Sequence, residues 1–367
     1  MTGRRRVLGI AGGLGLVGVL LVLPAPLRPA ASVPPGPAGG APALAAVWPK
    51  AKVFGLRAVF PDGSTYQPQL LLDATTSVGL ATSPDALRTS LVVAGPSGPP
   101  RVLDSALVND GGSFDALTPT PDRLFWMRTV SDADGHAHVS LWAAGRSSGP
   151  ATQVSPDAGA ALFNGSAYDL QVVGGRLYWV ASTGSTSSTE LRSVPLAGGS
   201  VTVRTLPGSW TMTAWPWMVT APGAADGPVE LFNLDTGQRV PVRAPANKSV
   251  TCGPEWCRLI ADNAAQAGET DLIRPNGSGL RRVGDQNAVA IASDVALLDR
   301  FEPLLTPMTS LNATTVSRLD LYDVAVHRTV LVEAAATGAM AKGAFVWWST
   351  GDNETVAWHA VDLRTLD

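Results

Sequence analysis

The sequence predicts an all-β protein: a β-propeller of seven four-stranded blades, closed by an N-terminal strand that completes the last blade. Three observations support this fold. A strand motif recurs seven times, the composition favours turns over helices, and the last repeat stops one strand short. The repeat spacing also admits six or eight blades. A single recurring unit argues against a pair of β-sandwiches.

A short strand motif marks the repeat. It reads Leu, an aromatic or aliphatic residue, a variable residue, then Val or Leu. It occurs at residues 90–93, 140–143, 192–196, 230–234, 271–274, 320–324 and 356–361. The centres of successive copies are 36 to 52 residues apart, which scatters around the period of about 40–50 residues of propeller blades. We expect this motif to be the third strand of each blade.

The strand before this motif is rich in aromatic residues. Copies lie at residues 124–127, 177–180, 217–219, 256–259 and 345–348. Aromatic runs bounded by Gly, Pro, Asp and Ser are typical of strands. The 38 Gly, the 29 Pro and a charged fraction of 16% argue against long helices. We expect the tryptophans of these strands to pack between blades rather than to form an aromatic ligand site.

The ends of the repeat region indicate how the ring closes. The last repeat stops at Asp367, after its third strand, and residues 51–60 precede the first repeat with strand character. We predict that this segment pairs with residues 356–361, beside Trp358, as the missing outer strand. Such a pairing removes an exposed sheet edge that would favour aggregation.

The first 50 residues are predicted to direct export and to act as a spacer. Three arginines at positions 4–6 precede an apolar run from Val7 to Leu23, which is the pattern of a cleaved signal or of a membrane anchor. The Arg4-Arg5 pair is compatible with a twin-arginine signal. We assign residues 1–30 to a signal peptide or signal anchor, 31–50 to a Pro-, Ala- and Gly-rich linker and 51–367 to the propeller. Residues 31–46 should then be dispensable for folding.

The combination of these features resembles a known group of proteins. An export signal, a short linker and strands such as Gly175-Arg176-Leu177-Tyr178-Trp179 are similar to the TolB-like bacterial extracytoplasmic propellers. The resemblance covers residues 47–367. The Ser-Pro-Asp-Gly turn of that group is degraded here, because Ser83-Pro84-Asp85 and Ser155-Pro156-Asp157 are not followed by Gly. The resemblance implies protein binding at the cell envelope, although fold similarity alone does not establish function.

Candidate chemistry rests on isolated side chains, because no nucleophile elbow, phosphate-binding loop or His-Glu-x-x-His motif occurs. His136 and His138 share one strand face and could ligate a metal. The preceding residues 132–135 are only faintly similar to a calcium loop, so we favour a polar hairpin turn. The remaining histidines are His327 and His359. Six acids could face the central channel, although solvated turns also carry acids: Asp104, Asp115, Asp169, Asp235, Asp294 and Asp299. We assign no catalytic, cofactor or metal residue.

The only two cysteines, Cys252 and Cys257, bracket a Gly-Pro turn. In an oxidising compartment such a pair predicts a local disulfide; two reduced, buried thiols are the alternative. We interpret five Asn-x-Ser/Thr sequences as turns, at Asn164, Asn247, Asn276, Asn312 and Asn353.

The functional prediction follows from export and fold. We expect a non-catalytic binding or scaffolding module at the cell envelope, without a cofactor, whose protein or envelope partner docks on a face of the ring. The membrane would be reached only through a possible N-terminal anchor. A secreted hydrolase or lyase with its site in the central funnel is the alternative. The absence of a basic stripe and the formal net charge of −3 exclude nucleic-acid binding.

We predict that the native protein is found outside the cytoplasm with an N-terminus near Ala31, because the Arg-rich start and apolar run fit a cleaved signal. Mass spectrometry of fractionated cells checks this. A cytosolic protein that keeps Met1 would contradict export, and an envelope-bound one that keeps Met1 would indicate the anchor. Replacing Arg4 and Arg5 by Lys should block export only if the twin-arginine route is used.

Overall fold

The computed structural model describes residues 40–132, 134–221, 229–245, 248–261, 269–284, 287–308, 316–352 and 355–367. The predicted signal at residues 1–30 and linker residues 31–39 lie outside the described residues, as do Asn247, Asn312 and Asn353. No helix within the described residues is long and apolar enough to cross a membrane.

Seven antiparallel sheets follow one another along the chain, and each forms one blade. We call the strands of a blade A to D from the channel outwards. A helical turn, α1 (Leu44–Val47), and a strand, β1 (Val53–Leu56), precede the blades. Blade 1 contains β2 (Thr65–Leu71), β3 (Ser77–Thr82), β4 (Arg88–Ala94) and β5 (Arg101–Leu107). Blade 2 contains β6 (Ser113–Pro119), β7 (Arg123–Ser131), β8 (Ala137–Gly145) and β9 (Thr152–Ser155).

The next three blades have shorter inner strands. Blade 3 contains β10 (Ala160–Ala161), β11 (Gln171–Val173), β12 (Arg176–Ser182), β13 (Ser188–Pro195) and β14 (Thr202–Pro207). Blade 4 contains β15 (Trp210–Met212), β16 (Trp217–Thr220), β17 (Glu230–Asn233) and β18 (Arg239–Pro241). Blade 5 contains β19 (Lys248–Cys252), β20 (Cys257–Ala261), β21 (Thr270–Ile273) and β22 (Arg281–Gly284).

The last two blades bring the chain back to its start. Blade 6 contains β23 (Val289–Ala290), β24 (Phe301–Met308), β25 (Val316–Asp323) and β26 (Arg328–Ala336). Blade 7 contains β27 (Gly338–Lys342), β28 (Phe345–Thr350) and β29 (Ala357–Asp362). Short 3₁₀ turns lie at Val108–Asp110 and Leu363–Thr365. All seven copies of the sequence motif fall on the third strand of a blade, so the prediction of seven four-stranded blades is confirmed.

The ring is closed by β1, which supplies the outer strand of blade 7. β1 pairs antiparallel with β29, and Val53 lies opposite Val361, while Leu56 lies opposite Trp358. The predicted latch is therefore confirmed in strand and in position. Both chain ends contribute to one sheet, so the edge of β29 that would otherwise be free is covered.

Apolar side chains of neighbouring blades pack face to face between the sheets. Phe125 and Met127 of blade 2 share a buried cluster with Leu177 and Trp179 of blade 3. The indole of Trp179 also donates to the carbonyl of Ala158 at 2.9 Å. The second-strand tryptophans Trp126, Trp179, Trp347 and Trp348 are at most 2% exposed. This confirms packing between blades for those four residues.

The residues just before β1 belong to the packed structure, although the sequence assigned them to the linker. Leu44 and Trp48 are buried in a cluster of blades 6 and 7, and the rings of Trp48 and Phe301 meet edge to face, with centroids 6.0 Å apart. Local composition hid this contact because the partner surface comes from the far end of the chain. Removing residues 31–46 should therefore destabilise the ring through the loss of Leu44.

We predict that deleting residues 51–60 opens the ring, because each blade buries its faces only against its neighbours. The deletion variant should aggregate and lose its cooperative thermal transition, as measured by calorimetry and light scattering. Lys52→Ala, at an exposed position next to β1, serves as the control and should melt like the parent. An unchanged transition in the deletion variant would refute the latch.

Candidate functional site: the central channel and one face of the ring

The meander topology sorts the loops onto two faces of the ring. Loops that join strands A to B and C to D emerge on one face, which we call the AB face. Loops that join B to C, and D to the next A, emerge on the other face. The inner strands of all seven blades converge on a central channel. Functional groups can therefore meet either in the channel or at the mouth of the AB face.

The inner edge of blade 3 is interrupted, and the interruption enters the channel. β10 and β11 each pair with one end of β12, and residues 162–170 between them leave the sheet. Asp169 is 3% exposed, and its carboxylate closes this excursion into a compact loop by accepting hydrogen bonds from residues earlier in the same segment. Its Oδ2 accepts from the backbone N–H of Asn164 at 2.8 Å and of Ser166 at 3.1 Å.

This excursion is bonded to blade 6 across the channel. The hydroxyl of Ser166 donates to the Asp294 carboxylate, and the backbone N–H of Ala167 donates to its other oxygen at 3.0 Å. In return the hydroxyl of Ser293 donates to the carbonyl of Asn164. Blades 3 and 6 are not neighbours in the ring, so these bonds bridge the channel. We call them the channel bridge.

A buried ion pair holds the blade 6 side of the channel bridge. Arg258 of β20 pairs with Glu302 of β24, and these residues are 4% and 0% exposed. Arg258 also donates to the carbonyls of Ala292 at 2.9 Å and Asp294 at 2.8 Å. Glu302 accepts from the N–H of Ala296 at 2.8 Å. Because buried charges are costly unless paired and hydrogen-bonded, this geometry fixes the loop that carries Asp294.

On one side of the channel bridge lies a cavity of about 210 Å³ that contains Lys342, the last residue of β27. Asp115 of β6 and Asp169 also line it. Burial lowers the pKa of Lys342, while Asp169, Asp294 and Asp115 act in the opposite direction. Burial raises the pKa of Asp169. Three of the six candidate acids thus converge on one lysine, from blades 2, 3 and 6.

At the mouth of the AB face lies a second cavity, of about 390 Å³, which we call the AB pocket. Its walls are the A-to-B loops of blades 4 to 7 and Tyr168 of the blade 3 excursion. Tyr168, Trp215 and Trp217 supply aromatic surface, and all three are half-buried. The ring of Trp215 is braced by Tyr178, with centroids 4.6 Å apart. Trp217 also packs against the buried cluster between blades 4 and 5, so it combines the predicted packing between blades with a place in the pocket wall.

Carboxylates supply the polar surface of the AB pocket. Glu255, Asp294 and Asp299 line it, and no basic residue does among those that the structure describes. Burial raises the pKa of Asp299, and the charge of Glu255 adds to this, while Arg274 opposes it. Burial, with Asp294 and Asp299, raises the pKa of Tyr168 to about 12. The pocket is therefore a site of negative potential with aromatic walls.

The loop that carries Asp299 has an unusual backbone. Ala296, Leu298 and Asp299 have φ angles of 49°, 56° and 55°, in the left-handed region that side chains other than glycine rarely adopt. Such conformations cost free energy and persist where the surroundings enforce them. Glu302 supplies part of that enforcement through the N–H of Ala296.

The remaining sequence candidates lie elsewhere. Asp104 pairs with Arg128 at 3.2 Å between blades 1 and 2, and Asp235 follows β17 in a turn. His136 and His138 flank the Asp132 carboxylate at 3.4 and 3.1 Å in the exposed β7–β8 hairpin. His327 contacts Arg281 at the surface, and His359 contacts Thr350 at 3.0 Å. None of the four histidines lies on an inner strand or lines the AB pocket.

The cysteine pair braces one wall of the AB pocket. Cys252 and Cys257 face each other across the β19–β20 hairpin with Cα atoms 4.0 Å apart and sulfurs at bonding distance. The separation is shorter than the 4.4–6.8 Å usual for disulfides, because the two residues are directly opposed in an antiparallel pair. The loop between them carries Glu255.

The sequence has no match among protein-family models and none among curated proteins. The structure, in contrast, resembles solved propellers. One is from a study of two prolyl endopeptidases, with 12% identity and a TM-score of 0.52 over 88% of this chain and 50% of that chain. Another is prolyl oligopeptidase B from Galerina marginata bound to a 35mer substrate, with 11% identity and a TM-score of 0.51 over 81% and 46%.

A third structure is the β-propeller domain of the Trilobed protease from Pyrococcus furiosus, with 10% identity and a TM-score of 0.45 over 68% of this chain and 82% of that chain. The fold is a seven-bladed β-propeller. This chain spans about half the length of the two prolyl peptidases that it matches. Identities this low establish the fold and leave the function to be argued from the site.

We predict that Asp294→Ala lowers the free energy of unfolding by about 1–3 kcal/mol, because the donors of Ser166 and Ala167 lose their half-buried acceptor. Chemical denaturation measures the loss. Asp110→Ala is the control, since Asp110 is exposed on a 3₁₀ turn, and it should change stability by no more than about 0.5 kcal/mol. Equal values for the two variants would contradict the channel bridge.

The disulfide stays a prediction for the exported protein. Thiol labelling of the unfolded, unreduced protein should find no free thiol. Reduction should cost less than the ~3 kcal/mol expected for a 15-residue loop, because the closed loop is much shorter. Labelling at both Cys252 and Cys257 would rule the bridge out.

Proposed function

We propose that this chain is an extracytoplasmic, non-catalytic propeller that binds a partner protein at the AB pocket. One observation carries the proposal: a cavity of about 390 Å³ with aromatic and carboxylate walls opens on one face of the ring. Binding sites are typically concave, about 300–1,000 Å³ in volume, and combine apolar surface with a few polar groups.

The organisation of the AB pocket supports binding over catalysis. Its walls come from five blades and are braced by the hairpin of Cys252 and Cys257, a buried ion pair and the channel bridge. A rigid, preformed surface lowers the cost of ordering on association. The hydroxyls of Ser166 and Ser293, beside the pocket, both donate to acceptors of the channel bridge. No histidine lies beside them to act as a general base.

The site of action is part of the proposal. The sequence pattern at residues 1–30 supports export. The resemblance of the chain to TolB-like propellers supports a role in protein binding at the cell envelope. The prolyl peptidase structures suggest a narrower form of the same proposal, in which the propeller works together with a peptidase. Their likeness to this chain is one of fold, so the partner has to be identified by experiment.

We expect a photo-cross-linker placed at residue 298 to capture the partner in intact cells. Leu298 is 48% exposed at the rim of the AB pocket. The control carries the same cross-linker at residue 87, because Leu87 is 58% exposed on the opposite face. Adducts identified by mass spectrometry should form from position 298 and not from position 87. Equal capture at both positions, or none at position 298, would refute docking at the AB pocket.

A hydrolase or lyase is the second candidate, because Lys342 lies among Asp115, Asp169 and Asp294 in the channel. A lysine with a lowered pKa can serve as a base or a nucleophile. Turnover of a chromogenic ester, glycoside or peptide that Lys342→Met abolishes and the exposed control Lys52→Met retains would favour this candidate. Without such turnover the binding function stands.

A further inference from the structure

We infer that the AB pocket binds a cationic side chain, the ammonium of lysine or the guanidinium of arginine, on an exposed segment of the partner. The inference rests on the proposed function and gives it a chemical class of ligand. Three features of the pocket support the inference: its negative charge, the absence of a stacked Arg or Lys on its aromatic rings among the described residues, and the spacing of its carboxylates.

The charge of the AB pocket is unbalanced. Glu255 is paired with Arg274 at 2.8 Å, and the Asp294 carboxylate accepts from Ser166 and Ala167. Asp299 lines the pocket without a hydrogen bond or ion pair to any of the described residues, and the charge of Arg274 acts on it without direct contact. A cation at this position would relieve the repulsion between Glu255 and Asp299, and a partly enclosed cavity screens that attraction less than open water does.

The aromatic faces of the AB pocket are unoccupied by cations, unlike many others in this chain. Arg274 lies 3.9 Å above the ring of Trp256, and Arg239 lies 4.9 Å above the ring of Trp210. Within the described part of the chain, no Arg or Lys stacks on Tyr168, Trp215 or Trp217. A cation over a tryptophan face is attracted by the ring quadrupole, so these faces and the carboxylates favour the same ligand.

The carboxylates of the AB pocket are too far apart to suit a metal ion. Among the described residues, the group with ligand atoms close enough for one ion is Asp132, Asp134 and His136, in an exposed hairpin away from the pocket. A metal needs several ligand oxygens about 2.0–2.6 Å from one centre. An elongated organic cation can reach carboxylates that are spread around a wider cavity.

The test is a titration of the exported chain with three blocked tripeptides that differ only at the central residue. N-acetyl-Gly-Lys-Gly-amide and N-acetyl-Gly-Arg-Gly-amide carry the cation, and N-acetyl-Gly-norleucine-Gly-amide has a lysine-like length without charge. Tryptophan fluorescence and calorimetry report binding. We expect at least one basic peptide to bind tenfold or more tightly than the norleucine peptide. Equal affinities would overturn the inference.

Matched variants locate the binding. Asp299→Asn should weaken the basic peptide fivefold or more, whereas Asp110→Asn, an exposed acid on the opposite face, should leave it unchanged. Both variants should keep the parental melting temperature. Equal binding by parent and Asp299→Asn would overturn the assignment to this pocket. n-Butylamine provides the last arm: if it binds as tightly as the lysine peptide, the site takes free amines and the peptide assignment fails.

The cross-linking experiment separates the two proposals. Capture of a partner from residue 298, together with no preference for basic peptides, would refute cation recognition and leave docking at the AB pocket standing. Basic peptide binding without capture from residue 298 would refute partner docking. Failure of both would refute both.

Discussion

Closure of the ring by one strand pairing is the constraint on which the rest of the structure depends. A blade exposes two apolar faces and can bury them only against its neighbours. Six interfaces between blades therefore leave two apolar faces exposed until the seventh interface forms. The seventh interface depends on a strand pairing within blade 7 that joins Val53 to Val361, almost the full length of the described chain apart. The entropic cost of closing so long a loop grows only slowly with its length. In return, closure buries apolar surface at every interface between blades. Closure also brings seven inner strands around one axis, and this convergence creates the channel.

The channel is where this ring departs from regularity. Blades 3 and 6 have inner strands that are only two or three residues long, and the chain beside them leaves the sheet. Those displaced segments meet across the axis through Ser166 and Asp294. Backbone groups released from a sheet need new partners when they are buried. The carboxylates of Asp169 and Asp294 supply them, which explains why acids occupy positions where a regular inner strand would carry apolar residues.

The fold was predictable from the sequence because its signal is local and repeated. The third-strand motif, the latch at residues 51–60 and the opposed cysteines can each be found by comparing short segments. The sites were only partly predictable. Asp115, Asp169, Asp294 and Asp299 were among the candidate acids, but nothing local distinguished them from Asp235 in a turn. Lys342, the Arg258–Glu302 pair and the cavity-facing Trp217 were missed, because their roles arise from contacts between different blades. The burial of Trp48 was missed for the same reason.

Ion pairing distinguishes the acidic side chains that stabilise the fold from those that are available to bind a partner. Most acids that are buried in the described strands have an arginine or lysine partner: Asp323 binds Arg300 at 2.7 Å, and Asp271 binds both Arg282 and Lys248. Asp169 is held by backbone N–H groups instead. These pairs follow the rule that a buried charge requires compensation. Asp299 at the AB pocket is exposed and has no such partner, and it lies next to aromatic rings that lack the stacked arginine found elsewhere. A partner's cation can therefore pair with Asp299 without breaking an ion pair within the chain.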